Sequence, residues 1–239
     1  MFVKFFTSDF RTQEYSAKLA SIHEKQQKML VFDCFFTSDC NYPGVMVHPD
    51  TELRLVNDLI GHGVFATKLI PKGTITWVRD RLDQAFTPQQ MEAMPSGYKS
   101  ILDKYTFIDG QGKYILCWDI SRFINHSCSA TCLSPGFDFE LAVRDIQPGE
   151  ELTDDYGTLN LREPFQCACG LPDCRKWIMP DDMVRYANRW DGLVQEAFTL
   201  ILDRTQPLWE YIEEKEQVTR ALKESKFHRS IRANYSPAA

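Results

Sequence analysis

Three cysteines lie close together in the sequence CACGLPDC, which spans Cys167 to Cys174. Their spacing, Cys-x-Cys-x4-Cys with Cys169 in second place, brings three thiolates within reach of one soft metal ion. Zinc in a structural site takes four ligands in a tetrahedron, and the earlier sequence RFINHSCSATC offers either Cys128 or Cys132 as the fourth. The spacing therefore predicts a zinc site that joins the two segments and stabilises a short segment with few apolar residues.

The composition narrows the choice of compartment and partner. The net charge of −6 argues against a broad basic face for nucleic acid phosphates, although it permits a basic protein partner. No apolar run approaches the ~20 residues of a membrane span, and the N-terminal MFVKFF is too short for a signal peptide. We therefore expect an intracellular protein, in the nucleus or the cytoplasm, with no direct contact to nucleic acid or membrane. Its cysteines should be reduced, and the isolated Cys34, Cys40 and Cys117 are interpreted as ordinary buried residues.

Short strands separated by turns are predicted from Val45 onward. Gly61 and Gly63, which flank His62, predict a turn between two strands, and residues 71–73 predict another. The stretches that we interpret as short strands with turn signals are TELRLV, GHGVFA and PKGTITWV. GKYILCWDI and FELAVRDI are two more strand-like stretches, and QPGEELTDDYG is interpreted as a turn that leads into a further short strand. The region is therefore expected to consist mostly of short strands.

Helices are predicted in one insert and at both ends of the chain. Residues 87–105 predict a single helix, with Thr87 as its N-cap and Pro88 at its first position. The other stretches with a helical pattern or composition are 11–30, 181–204 and 207–225. Helical segments thus flank the region of strands.

The helix predicted over residues 181–204 has one apolar face, because its apolar residues recur three or four positions apart. These residues are Tyr186, Trp190, Leu193, Val194, Ala197, Phe198 and Ile201. We expect this face to pack on the protein's own domain rather than on a second copy, so a monomer is slightly favoured. Asp181 and Asp182 suit the positive end of the helix dipole, and residues 226–239 are expected to fray.

Four motifs occur in a fixed order along the chain: GHGVFATKLIPKG, RFINHSC, GEELTDDYG and CACGLPDCRKW. Together they resemble those of a SET-domain protein-lysine methyltransferase with a cysteine-rich post-SET segment. The resemblance implies an α+β fold of the SET type, a β-rich arrangement of small sheets with a pseudoknot and a β-clip, a helical insert and helical extensions at both ends. It divides the chain into an N-terminal extension (1–44), a SET domain (45–160), a post-SET zinc segment (161–179) and a C-terminal helical extension (180–239).

The resemblance also implies S-adenosylmethionine as the methyl donor and, as the acceptor, a lysine of a protein such as a histone or another basic protein. Tyr156 matches the tyrosine at the methyl-transfer site, and Asp154 and Tyr156 would line the substrate channel. The cofactor-binding residues that it implies are Gly61, His62, Gly63, Arg122, Asn125, His126, Tyr156 and Trp177. The zinc ligands that it implies are Cys128, Cys167, Cys169 and Cys174, which selects Cys128 over Cys132.

The expected chemistry depends mainly on positioning. Methyl transfer from a sulfonium to an amine is an in-line displacement, so correct orientation supplies much of the rate. The acceptor must be a neutral amine, whereas free lysine has a pKa of ~10.4. An apolar channel and a nearby sulfonium both disfavour the ammonium form. The hydroxyl of Tyr156 can orient the amine, and on this interpretation no strong general base is required.

Two positions differ from the pattern of the family. Ala130 and Thr131 replace the usual Pro-Asn pair, and Asp154 stands two residues before the tyrosine, where Phe or Tyr is common. A carboxylate in the channel would favour the ammonium form and oppose transfer. Three outcomes are open: Asp154 turns to solvent, or it selects an unusual acceptor, or the domain binds without turnover. The alternative to an enzyme is therefore a non-catalytic SET-like module that binds a protein partner, with or without cofactor.

Overall fold

The computed structural model describes residues 46–223 and 229–237. The helix predicted at 11–30 and the N-terminal extension predicted at 1–44 lie outside these residues. Within the described ranges, short strands form four small sheets, and the helices lie in one insert and after the last strand. This arrangement confirms the predicted α+β class with small sheets.

Twelve strands occur in the described part of the chain, and ten of them have only two to four residues. They are β1 (Thr51–Asn57), β2 (Gly61–Ala66), β3 (Ile75–Val78), β4 (Gln84–Phe86), β5 (Thr106–Ile108), β6 (Tyr114–Leu116), β7 (Asn125–His126), β8 (Cys132–Leu133), β9 (Phe139–Ala142), β10 (Glu151–Asp154), β11 (Phe165–Gln166) and β12 (Trp177–Ile178). The helices are α1 (Pro88–Ala93), α2 (Ser96–Tyr105), α3 (Asp182–Phe198) and α4 (Lys215–Lys223).

The largest sheet brings distant segments of the chain together. Its strand order is β1-β2-β10-β7, with β10 antiparallel to β2 and parallel to β7. Thr153 pairs with Asn125 and Asp154 pairs with His126. This register places the Asn-His pair directly beside the residues that precede Tyr156. The remaining sheets have the orders β3-β9-β8, β4-β6-β5 and β11-β12.

The strand predicted over GHGVFA is confirmed as β2, but the turn predicted at 61–63 is wrong, because these residues begin that strand and pair with β1. The turn lies immediately before them, where the side-chain Oδ1 of Asn57 accepts hydrogen bonds from the N–H groups of Leu59 and Ile60, both at 2.9 Å. An Asn side chain can close a turn in this way, so the glycines are not needed for it. Gly61 has φ +89°, a left-handed conformation that glycine adopts readily.

The single helix predicted over residues 87–105 is in fact two helices, α1 and α2. Pro95 separates them, because proline lacks an N–H group and disfavours the helical conformation in the residue before it. Met94 is accordingly extended, with φ −65° and ψ 137°. The predicted N-cap is confirmed: the Thr87 hydroxyl accepts from the N–H of Gln90 at 3.2 Å, and the Gln90 side chain accepts from the N–H of Thr87 at 2.8 Å.

The apolar face of α3 packs on its own domain, as expected. Trp190, Val194 and Phe198 are buried in the same core cluster as Phe139 and Leu141 of β9. A second core cluster lies under β2 and β10. The helix therefore belongs to the core that supports the site, while the oligomeric state remains a prediction. The second C-terminal helix is shorter than predicted, since α4 begins only at Lys215.

The end of the chain is ordered where the structure describes it, so the expectation that residues 226–239 fray is wrong for 229–237. Ile231 is only 1% exposed and lies in the core cluster of α3. The Nδ2 group of Asn160 donates to the carbonyl of Asn234 at 2.8 Å, and its Oδ1 accepts from the N–H of Ser236 at 2.8 Å. One buried apolar residue and several hydrogen bonds thus offset the entropy of ordering this segment.

A bilayer-spanning helix is absent from residues 46–223 and 229–237, since every helix there is too short or too polar to cross a membrane.

Candidate functional site

Four cysteines from two separate segments meet at one point. Cys128 follows β7, whereas Cys167, Cys169 and Cys174 lie in the loop between β11 and β12. Their sulfur atoms all lie within 4.8 Å of one another, and those of Cys128 and Cys167 are 3.8 Å apart. Thiolates bound to tetrahedral zinc at ~2.3 Å stand about 3.8 Å from each other, so the cluster fits zinc. Cys132 is fully buried in β8 and is not part of the cluster.

The loop that carries three of the cysteines is closed by the pairing of β11 with β12. The N–H of Cys167 donates to the carbonyl of Lys176 at 2.8 Å. Backbone N–H groups also point at the sulfur atoms: that of Cys169 lies 3.4 Å from the sulfur of Cys167, and that of Arg175 lies 3.5 Å from the sulfur of Cys128. Such donors stabilise the negative charge of thiolates, which a metal site requires.

His126 connects the cysteine cluster to Tyr156. Its Nδ1 accepts a hydrogen bond from the backbone N–H of Tyr156 at 3.1 Å, so the proton of the neutral ring is on Nε2. That Nε2 lies 3.5 Å from the sulfur of Cys128. Burial, helped by the positive charge of Arg175, lowers the pKa of His126 to about 4, and the ring is therefore neutral at physiological pH.

Asn125 ties the beginning of β2 to β10. Its Nδ2 group donates to the carbonyl of His62 at 2.9 Å and to the Glu151 carboxylate at 2.7 Å. A Cβ atom at position 63 would stand 3.0 Å from that Nδ2 and only 2.2 Å from the Glu151 carboxylate. Gly63 is therefore required by the close approach of these two side chains to the strand. Gly61 and His62, just before it, remain partly exposed beside Asn125.

A cavity of about 670 Å³ contains Tyr156 in its wall. The Tyr156 hydroxyl donates to the carbonyl of Ile124 at 2.7 Å, and both residues line the cavity. Its aromatic wall residues are Trp77, Tyr105, Phe107, Tyr114, Phe137, Tyr156 and Phe165. Six acidic but only three basic side chains also line it, so the cavity suits a cationic ligand.

The predicted site residues fall into two groups. The cavity wall contains Arg122, Asp154 and Tyr156. The others, which do not line this cavity, are Gly61, His62, Gly63, Asn125, His126 and Trp177. Asn125 contacts the backbone of His62, and the His126 and Tyr156 rings are 5.5 Å apart, so the two groups adjoin. Trp177 lies in β12 with 52% of its surface exposed, beside the cysteine loop.

Tyr156 is held in a fixed orientation and remains uncharged. Its ring contacts those of His126 and Phe165, with centroid distances of 5.5 and 5.9 Å. Burial raises the pKa of the Tyr156 phenol above its usual value, and the nearby carboxylates, Asp154 first, raise it further. Because its proton is donated to Ile124, the oxygen lone pairs are available to accept a hydrogen bond from a ligand in the cavity.

Asp154 does not turn to solvent, so that outcome is excluded. The residue is only 4% exposed, and its Oδ1 accepts a hydrogen bond from the N–H of Asp155 at 2.6 Å. Its carboxyl group also forms a side-chain hydrogen bond with Glu140 of β9, which lines the same cavity. Burial, reinforced by the charge of Glu140, raises the pKa of Asp154 well above its usual value. Asp154 and Glu140 are therefore two buried carboxyl groups that share a proton.

Two residues important to the site were not identified from the sequence: Glu140 and Arg175. Arg175 forms ion pairs with Asp155 and, at 3.2 Å, with Asp182 at the start of α3. The signal for Arg175 was its position next to Cys174 of the predicted zinc cluster, with Asp155 beside the tyrosine. Glu140 gave no signal, because a Glu inside the strand FELA resembles any solvent-facing residue.

The loop lacking the Pro-Asn pair still forms, and Thr131 holds it. The hydroxyl of Thr131 accepts from the N–H of Thr153 at 2.7 Å, and the Thr131 N–H donates to the carbonyl of Thr153 at 3.0 Å. Thr131 is 1% exposed, so these bonds are shielded from water. The threonine therefore supplies the donor and the acceptor that connect the loop to β10.

Comparison with known proteins finds matches that cover part of this chain, including Asn125, His126 and Tyr156. Residues 61–157 match the family model described as SET domain. A histone-lysine N-methyltransferase from Schizosaccharomyces pombe, H3 lysine-4 specific, is 34% identical over 94 residues, which are 36% of this chain and 10% of that protein. Histone-lysine N-methyltransferase Set2 from Drosophila melanogaster is 31% identical over 134 residues, 49% of this chain and 6% of that protein.

A further relative from Schizosaccharomyces pombe is a histone-lysine N-methyltransferase, H3 lysine-9 specific. It is 29% identical over 152 residues, which are 49% of this chain and 31% of that protein. The chain thus matches at most about a third of the length of these three relatives, and two of their names specify different lysines.

Proposed function

Residues 61–157 of the chain form a SET domain, and on that premise we propose that the protein transfers a methyl group from S-adenosylmethionine to the side-chain amine of a lysine in a protein substrate. The observation that carries the proposal is the orientation of Tyr156. Its hydroxyl is held by the Ile124 carbonyl in the wall of a cavity rich in aromatic residues, inside the matched domain. The relatives named above are histone-lysine methyltransferases, which agrees with this activity.

We propose that the cofactor binds beside the Asn-His pair. The backbone of Gly61 and Gly63 can approach a ligand closely because neither residue has a side chain. Asn125 fixes that strand through the His62 carbonyl. The other residues proposed to contact the cofactor are His62, Arg122, His126, Tyr156 and Trp177. When bound, the cofactor supplies an electrophilic methyl group.

In this proposal the protein orients the acceptor amine. A neutral tyrosine hydroxyl with free lone pairs accepts a hydrogen bond from the lysine nitrogen and fixes its direction. The aromatic walls of the cavity exclude water and stabilise an alkylammonium by cation–π contacts. The excess of acidic side chains in the wall favours a basic segment of the substrate, such as a histone tail or another basic protein.

Zinc is proposed as the ion held by Cys128, Cys167, Cys169 and Cys174, in a structural role. Four thiolates leave no open coordination position, so the metal takes no part in the chemistry. It fixes the segment that carries Trp177 beside the Asn-His pair. Nuclear or cytoplasmic location follows from this substrate class and stays part of the proposal.

The test is transfer of a labelled methyl group from S-adenosylmethionine to a panel of lysine-rich proteins by the full chain. We expect label on at least one panel member and, in Tyr156→Phe, a rate lower by on the order of 100-fold. Tyr211→Phe, which changes an exposed tyrosine outside the cavity, is the matched control and should transfer at the normal rate. Undiminished transfer by Tyr156→Phe would contradict the role of this tyrosine.

A non-catalytic module is the second candidate, and the buried pair of Glu140 and Asp154 is the observation that favours it. A carboxylate in the cavity stabilises an ammonium group, which opposes the loss of its proton. Binding of S-adenosylmethionine measured by calorimetry, with no transfer to any panel member between about pH 7 and 10, would support the module. Transfer to any member would exclude it.

A further inference from the structure

Three polar atoms in the cavity wall are buried and have no hydrogen-bond partner. Two of them are donors, the Nε1 group of Trp77 and the Nε group of Arg122. The only acceptor among the three is the Oε2 oxygen of Glu140, a residue that is 8% exposed. A buried carboxylate oxygen without a hydrogen bond is costly, so this oxygen is poised to receive a donor from a ligand in the cavity.

No cation of the protein neutralises this carboxyl pair in the described residues. Arg122, Lys104 and Arg162 line the cavity, yet none of them forms an ion pair with Glu140 or Asp154. The pair shares one proton between two carboxyl groups, because both cannot ionise at hydrogen-bonding distance. It therefore presents a single negative charge to the cavity.

We propose that Glu140 receives the ammonium group of the substrate lysine at Oε2 and takes one of its protons, which makes Glu140 the general base of the reaction. This inference rests on the proposed function and adds a residue to it. The N–H bond of the ammonium breaks, an O–H bond forms on Glu140, and the nitrogen lone pair becomes available for attack. Ammonium and carboxylate thereby become neutral amine and neutral acid. The proton then passes to solvent once the methylated lysine has left.

Tyr156 does not take this proton, because its phenol is neutral and donates to Ile124. The cavity favours transfer to Glu140, since neutralising two opposite charges removes the cost of keeping both of them out of water. Burial raises the pKa of Glu140 to about 7. Its carboxylate is therefore a stronger base than an exposed carboxylate and is closer in basicity to an amine. The side-chain hydrogen bond between Asp154 and Glu140 orients the Glu140 carboxyl group.

Other titratable groups near Glu140 stay neutral in the relevant range. Cys117 and Cys132 both feel its charge, and burial raises the pKa of each thiol, that of Cys132 to about 12. Burial likewise raises the pKa of Tyr156. The pH dependence near neutrality therefore belongs to the pair of Glu140 and Asp154.

The first experiment measures binding of a simple ammonium group, independently of methyl transfer. The full chain is titrated with n-butylammonium chloride at about pH 8 while the indole N–H resonance of Trp77 is followed by NMR, with Trp77→Phe to assign it. We expect a saturable shift in the unmodified chain and at least about 10-fold weaker binding in Glu140→Gln, which loses the charge and keeps the shape. The control Glu210→Gln removes an exposed carboxylate outside the cavity and should bind normally.

The second experiment measures kcat/KM for the methylated panel member from about pH 6 to 10. Loss of a general base costs on the order of 100-fold, so Glu140→Gln should be slower by about that factor at pH 7 and should recover as pH rises towards the pKa of free lysine. Asp154→Asn keeps a donor to Glu140 and should lose less than about 10-fold. If Glu140 had a purely structural role, the Glu140→Gln substitution would lower kcat/KM by the same factor at every pH.

The outcomes separate the two proposals. Absence of an ammonium-dependent shift, or equal binding by Glu140→Gln, overturns the role of Glu140, as does an unchanged pH profile in that variant. If a methyl group is still transferred to a panel member when one of these results is obtained, the proposed function stays intact. Saturable binding that requires Glu140, without transfer to any panel member, supports the ammonium site and refutes the methyltransferase together with the catalytic step. Circular dichroism of each variant checks that the fold is retained.

Discussion

At the scale of single residues, the balance between burial and charge decides how the site works. Glu140 and Asp154 are both buried and share a hydrogen bond, so one of them keeps its proton at neutral pH. Asp154 therefore adds no second negative charge to the cavity. His126 is neutral for the same physical reason, since burial disfavours the charged form of the imidazole.

The first prediction concerns stability and pH at Glu140. Its pKa is raised from about 4.5 to about 7 in the folded protein, so the folded state holds a proton that the unfolded state has lost. The contribution of Glu140 to the free energy of unfolding should therefore fall as pH rises from about 4.5 to 7, and at pH 8 the free energy of unfolding of Glu140→Gln should exceed that of the unmodified protein by about 2–4 kcal/mol. Urea unfolding of both proteins at about pH 5.5 and 8 measures this. A stability difference that is the same at both values would contradict it.

The second prediction concerns the space at Gly63. A Cβ atom there would collide with the Glu151 carboxylate and press on Asn125, so Gly63→Ala should displace the bond from Asn125 to the His62 carbonyl. We expect at least about 10-fold weaker binding of S-adenosylmethionine by calorimetry, which corresponds to about 1.4 kcal/mol.

The matched control for that substitution is Gly192→Ala. Gly192 lies in α3, and a Cβ atom added to it would have no other atom within 4 Å. Alanine is the better helix former, so this variant should gain about 0.5–1 kcal/mol of stability and bind cofactor normally. Equal affinity of Gly63→Ala and the control would show that the glycine is unnecessary for binding.

At the scale of elements, Arg175 joins three parts of the structure. It follows Cys174, pairs with Asp155 next to Tyr156, and pairs with Asp182 in the first turn of α3. Its guanidinium also lies 5.0 Å from the ring centroid of Tyr186 and is only 13% exposed. The cysteine loop, the tyrosine and the helix are thus held in one arrangement by a single side chain.

The third prediction follows from that arrangement. Arg175→Ala leaves two buried carboxylates without a cation, which should cost about 3–5 kcal/mol in the free energy of unfolding. Arg185→Ala is the control, because its ion pair with Asp181 is about half exposed and contributes less than ~1 kcal/mol. Chemical denaturation of both variants at about pH 7 gives the comparison. Similar losses in the two would mean that burial does not strengthen the Arg175 pairs.

At the scale of the whole molecule, segments far apart in sequence close the structure around the site. The cysteine cluster joins the segment after β7 to the loop between β11 and β12. The final described segment, 229–237, returns to the core through Ile231 and to Asn160, four residues after Tyr156. Removal of either connection should therefore affect the site as well as stability.

The fourth prediction is that the full chain, purified without chelator, contains about one zinc ion. Cys128→Ser should lose most of the zinc and bind S-adenosylmethionine at least about 10-fold more weakly, because His126 contacts the Cys128 sulfur. Cys132→Ala alters a cysteine outside the cluster and should keep its zinc. Mass spectrometry under native conditions and calorimetry measure both properties. Full zinc content in Cys128→Ser would refute this ligand.

The fifth prediction concerns the C-terminal segment. Truncation after residue 228 removes Ile231 from the core and the hydrogen bonds to Asn160, and should cost about 2–5 kcal/mol in stability. Removing only residues 238–239 is the control. Thermal unfolding followed by circular dichroism reports both, and equal melting temperatures would show that the segment contributes little.

The sequence by itself determined what depends on local pattern. The spacing of the cysteines predicted a metal cluster, the alternation of apolar residues predicted short strands, and Thr87 predicted a helix start, since each of these is encoded within a few residues. Two wrong predictions, a single helix over residues 87–105 and a turn at 61–63, also concern local structure. Pro95 ends the first helix, and Asn57 rather than the glycines after it closes the turn.

Only the tertiary structure decided how distant residues act on one another. Glu140 faces Asp154 because β9 and β10 pass the same cavity, and this contact makes the two carboxyl groups share a proton. The choice of Cys128 over Cys132 depends on where the chain turns after β7, and Cys132 enters the core instead. Burial and electrostatic partners are properties of the assembled core, and no spacing along the chain specifies them.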